Sequence, residues 1–201
     1  MSKFVEEAIA KAGLLPVLSA RRSGDLEAVR TTVASWGVAD LLALGAVADA
    51  VRIQDVGEVV RIHEREPAAS EGEVTWVETG RSTSELDFLR AVAVARIASS
   101  PGARIGVDWS QRGMELAQVA LGFGASELRG PIQRKSGLPI YEGEKLKVKG
   151  QGMVELRAIK RQEIGALVRH AGRLPNFVDG EGNGASPGSG ARTTEGVAGN
   201  V

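Results

Sequence analysis

Between Glu73 and Ile132 strand-like and helix-like runs alternate twice, joined by loops of only a few residues. Glu73–Glu78 (EVTWVE) concentrates β-branched and aromatic residues, as a strand does. Ser82-Thr83-Ser84-Glu85 fits an S-x-x-E capping box. It predicts a helix running to about Ala98, with Leu86, Leu89, Val92, Ala93 and Ile97 apolar. Pro101-Gly102 is a turn, and Arg104–Trp109 (RIGVDW) is the next strand. Gln111-Arg112-Gly113 leads into a helix, MELAQVAL, closed by Gly122 and Gly124, and Ala125–Ile132 is a short loop or strand. This alternation is the grammar of a parallel sheet, so the fold class is α/β. Sites in such folds lie beyond the carboxyl ends of the strands. That rule puts Glu78, Asp108, Trp109 and the Gly124–Gly130 turn on a common rim.

The flanking regions read differently. Residues 1–56 are expected to form an N-terminal helical region. A short helix over 3–12 ends near Pro16, and Ser23-Gly24-Asp25 turns into a second helix reaching about Ser35. Asp40 is the expected N-cap of a third, with Leu41, Leu44, Val47, Ala48 and Val51 at helical spacing. Gly45 inside it marks close packing. Residues 57–178 carry the sheet. Glu58–Glu64 alternates as a strand, and His63, set among Glu64, Arg65 and Glu66, reads as its solvated end. Residues 134–161 form a Lys/Arg-rich insertion, read as a charged edge that discourages sheet-to-sheet pairing. With Tyr141 the only aromatic near it, nucleic-acid binding is disfavoured. Gln162–Ala171 is a helix stopped at Gly172, with His170 in its last turn. From 179 to 201 the chain is Gly/Ser-rich, a disordered tail by composition.

Composition narrows the function. Net charge is zero, which gives no reason to expect nucleic acid or an anionic membrane surface. There is no 18-residue apolar run and no secretory signal, so the expected location is the cytoplasm. The 201 residues include no cysteine and two histidines, His63 and His170. Thiolate-held clusters and Cys-rich zinc sites are therefore excluded. No metal ligand, cofactor or catalytic residue is expected. GFGASELRG does not fit the dinucleotide-binding fingerprint and has no strand before it.

Four segments carry a family resemblance. DLLALGAVADAVR (Asp40–Arg52), ELDFLRAVAVARI (Glu85–Ile97), RIGVDWSQRGMELAQVALGFGASELRGPI (Arg104–Ile132) and EIGALVRHAGRLP (Glu163–Pro175) occur in one order. In that order they resemble segments of the radical S-adenosylmethionine enzymes of menaquinone biosynthesis, aminofutalosine synthase and cyclic dehypoxanthine futalosine synthase, with their deazaflavin-cofactor relatives. The resemblance covers under half of the chain, and Leu116–Ala125 is its most specific block. It implies a (β/α) barrel of the TIM type. The family's Cys-x3-Cys-x2-Cys cluster motif has no counterpart here, and a short loop from Glu64 to Gly72 stands where several βα units would be. Gly124-Ala125-Ser126-Glu127 replaces the family's turn, with Glu127 at or beside its acidic position. The expectation is a partial barrel remnant with room for about three or four of the eight strands that close a barrel.

The function expected from this resemblance is that of a non-catalytic accessory or regulatory relative, binding a partner subunit or a pathway intermediate. A homo- or hetero-oligomer would complete the barrel. The candidate ligand-binding residues are Trp76, Asp108, Trp109, Gln118 and Glu127. The alternatives are a repurposed small α/β enzyme using Asp108 or Glu127 as acid or base, and a basic interaction module built on the Lys-rich region.

Overall fold

Asp40 starts the helix on which the amino-terminal part of the molecule is packed. Its carboxylate accepts a hydrogen bond from the Ala43 N–H at 2.9 Å, satisfying a donor that the first turn leaves open. A computed structural model describes residues 1–64, 73–80, 82–133 and 158–178. In chain order the elements are α1 (Lys3–Lys11), α2 (Leu15–Ser23), α3 (Leu26–Thr31), a 3-10 turn (Val33–Gly37), α4 (Leu41–Val56), β1 (Val59–His63) and β2 (Val74–Trp76). There follow α5 (Glu85–Ala98), β3 (Arg104–Asp108), α6 (Trp109–Arg112), α7 (Met114–Leu121), β4 (Glu127–Arg129), β5 (Ile132–Gln133), β6 (Ile159–Lys160), α8 (Arg161–His170) and β7 (Leu174–Val178). The fold is α/β, with N-terminal helices set against a five-stranded parallel sheet of order β2-β3-β4-β1-β7. The short β5 and β6 pair separately. Among the described residues no helix is long and apolar enough to cross a membrane.

The sheet has two unlike faces. Val60, Ile62, Ile105, Val107 and Leu128 point to one side and are buried. They share a single core with Ile9, Leu18, Val29 and Trp36 of the N-terminal helices, Val47 of α4, Val92 of α5 and Ile164 of α8. Strand residues alternate between faces, and bridge partners share one. Arg61 and Gly106 pair with Glu127, His63 and Asp108 pair with Arg129, and Trp76 pairs with Gly106. The second face is therefore polar. Parallel sheets are normally apolar on both sides, so a polar face needs an explanation of its own.

Several expectations are met, and others need correction. Asp40 caps α4 as expected, and Gly45 is a contact point, since a Cβ there would come 2.7 Å from the Phe123 ring. The cap of α5 is Ser84, accepting from the Asp87 N–H at 3.1 Å, and not Ser82 with Glu85. Leu86 is exposed and lies outside the apolar side of α5. Trp109 opens α6 instead of closing a strand. Pro16 does not terminate structure; it sits in the first turn of α2, where its missing N–H costs nothing.

β7 occupies a segment, between the Gly172 stop and residue 179, to which no element was assigned. The Leu174 N–H donates to the Glu58 carbonyl at 3.0 Å, so Leu174, Asn176 and Val178 bond to β1. Pro175 and Phe177 then face away from β1, and the proline takes a position where no ladder donor is needed. Most of the basic insertion (134–157) and the tail (179–201) lie outside the described residues.

Candidate functional site

Glu127 is placed by the turn before it. Ser126 donates its N–H to the Ile105 carbonyl at 2.8 Å. Arg96 of α5, fully buried, donates to the Gly124 carbonyl at 2.8 Å, to the Ala103 carbonyl at 2.5 Å and to Ser126 Oγ at 2.9 Å. Burial lowers the Arg96 pKa to about 10, opposed by Asp55 and reinforced by Arg52 and Arg21, so it stays charged near neutrality. Gly124, at φ 97° and 2.7 Å from Arg96 through a notional Cβ, leaves room for this staple. The chain therefore enters β4 in a fixed register.

From that register Glu127 reaches the polar face while only 2% exposed. Arg104 grips its carboxylate with two bonds of 2.9 Å, from Nε to Oε1 and from Nη2 to Oε2. His63 Nε2 lies 2.6 Å from Oε2, and Arg61 Nε lies 4.0 Å from the same oxygen. Burial alone would push the carboxyl up. Hydrogen bonds from Arg104 and His63, with the charges of both, outweigh it and hold Glu127 below the ordinary carboxylate value. A carboxylate only accepts, so Nε2 of His63 carries its hydrogen toward Glu127, and a neutral ring keeps Nδ1 as its acceptor.

The network continues to the edge of the sheet. The His63 ring meets Trp76 edge to face, with centroids 5.8 Å apart. Trp76 packs against Gly106, where any Cβ would collide with it. On the same indole rests the Arg129 guanidinium, 4.3 Å from the ring centre. Arg129 donates to Asp108 Oδ2 at 2.9 Å and lies 3.5 Å from Glu78. Asp108 in turn accepts from the Ser110 N–H and hydroxyl, which caps α6.

Three of the expected residues, Trp76, Asp108 and Glu127, thus belong to one array of rings and charges spread across four strands. Trp109 is a buried packing residue under Gly130, where the absence of a side chain makes room for the indole. Gln118 is a strut: its amide donates to the Leu167 carbonyl at 2.9 Å and ties α7 to α8. His63 is not a solvated strand end; it is buried at the centre of the array, where Glu127 on the neighbouring strand gives its ring nitrogen a hydrogen-bond partner. Arg104 and Arg129 were not expected either. Their signal was the alternation itself, with polar residues two or four apart (Arg61 and His63, Arg104 and Asp108, Glu127 and Arg129) around apolar ones.

Among the described residues no group of three or more His, Asp or Glu side chains is placed to hold a metal ion. What the array offers is a fixed, charge-balanced polar surface with an oriented imidazole and an aromatic plane. No protein-family model matches the chain. A search of curated proteins likewise gives no significant match.

Proposed function

We propose that this protein is a non-catalytic accessory or regulatory relative of the futalosine-pathway radical enzymes, binding a partner subunit or a pathway intermediate. The supporting observation is the strand order. In a closed (β/α) barrel each strand lies beside the next, and the last lies beside the first. Remove the units between the first strand and the final run, and the order left is a run of successive strands ending against strand one. That is β2-β3-β4-β1, with β7 occupying the far side of β1 where the second strand would stand. On this reading the polar face of the sheet is the inner face of the former barrel. A chain without cysteine cannot hold the cluster that cleaves S-adenosylmethionine, so binding, not the family's chemistry, is the retained role.

The test is capture of purified aminofutalosine synthase or cyclic dehypoxanthine futalosine synthase by this chain, beside calorimetry with dehypoxanthine futalosine. A stoichiometric complex or saturable heat, weakened by Arg129→Ala, is the expected result. Neither signal at high protein concentration removes the proposal.

One observation favours a second reading. A buried His–Glu pair at 2.6 Å is also the arrangement that orients a general base. If a repurposed acid–base enzyme is present, turnover of some substrate will be abolished by His63→Gln while the fold survives.

A further inference from the structure

The two edges of the sheet are built differently. At β7 the first of the two outward positions is held by Pro175, which has no N–H to offer and leaves Phe177 as the one outward donor. At β2 nothing comparable stands. The Val77 N–H donates to the Gly106 carbonyl at 2.9 Å, so Thr75 and Val77 face β3. Alternation turns the N–H and C=O groups of Val74 and Trp76 outward, and among the described residues no strand pairs with them.

We infer that β2 is the edge through which the chain pairs with a second copy of itself, antiparallel, about a twofold axis at Thr75. This rests on the reading above, in which strands once adjoining β2 have been lost, and it names the occupant. The sequence of the edge is self-complementary. Antiparallel pairing about Thr75 sets Val74 of each copy opposite Trp76 of the other, a β-branched residue against an aromatic one, and Thr75 against Thr75. Both pairings rank among the favourable cross-strand contacts. The outward main-chain groups of Val74 and Trp76 meet their counterparts in the same register. A twofold contact is closed, so it satisfies both edges at once. With only a short strand to contribute, the dimer belongs to the weak, concentration-dependent class.

Thr75 is exposed, which makes the test clean. Thr75→Lys and Thr75→Glu each place like charges face to face across the axis without touching the core. Sedimentation velocity over a wide concentration range should show the wild type in monomer–dimer exchange. Each variant alone should dimerise at least about tenfold more weakly, with an unchanged circular dichroism spectrum. An equimolar mixture of the two should recover the dimer, as opposite charges then meet. A wild type that stays monomeric throughout, a Thr75→Lys variant that dimerises like the wild type, or a mixture that fails to pair each overturns the inference. If the dimer fails while the radical enzymes are still captured, this inference falls and the functional proposal stands. If the dimer forms without capture or ligand binding, the pairing stands and the functional proposal falls.

Discussion

His63 Nε2 and Glu127 Oε2 lie 2.6 Å apart on adjacent parallel strands, both side chains almost completely out of water. Each gives the other a hydrogen-bond partner where water does not reach, and Arg104 supplies the charge opposite Glu127. Glu127→Gln keeps the shape and removes the charge. Arg104 and His63 are then left with half a partner, and unfolding free energy from urea titration should fall by about 3 kcal/mol. A loss within error would show that the network is slack.

The same carboxyl fixes an acid dependence. Its folded pKa is below the ordinary value, so the unfolded chain binds its proton first. The stabilisation is complete above the unfolded pKa of about 4.3 and disappears as pH falls through the lower folded value. The stability curves of wild type and Glu127→Gln should therefore converge below about pH 4, measured by thermal melts across an acid series. Parallel curves throughout would contradict the assignment.

Gly124 is expected to be intolerant. Gly124→Ala forces an L side chain to a φ of 97° and drives its Cβ against Arg96, which three hydrogen bonds hold in place. The cost should be about 2–3 kcal/mol, read as a lowered urea midpoint. Gly102→Ala, at a φ of 78° with nothing near its Cβ, is the control and should cost less.

Gln118→Met separates a strut from a ligand contact. It should lose about 1 kcal/mol through the bond to Leu167 and leave any binding at the polar face unchanged. A selective loss of binding would restore Gln118 to the site.

Legibility followed locality. α4, α5, β3 and α7 could be read because cap, period and turn lie within a few residues of one another, as at Asp40 and along RIGVD. α2 was hidden by Pro16, read as a breaker when it occupies the first turn of a helix, and β7 lies past Gly172, beyond the last element assigned. The site was half legible. Asp108 follows from the rim rule and Glu127 from the turn, while Trp76 was a candidate that neither derives. His63 does not, because its burial depends on an acid sixty-four positions away, and that proximity exists only once β1 and β4 pair. The strand count was also low, since β7 joins the sheet beyond the segment where the alternation is plain.

Pro175 carries a consequence for how such molecules accumulate. Replacing it with valine should restore an outward N–H to β7, leave the melting temperature nearly unchanged, and yield species larger than a dimer by light scattering. In the natural chain, one receptive margin and one blunted margin cannot alternate into a continuous ribbon. On the pairing inferred for β2, growth by strand addition stops at the pair, because the margin that carries Pro175 offers no second site of the same kind.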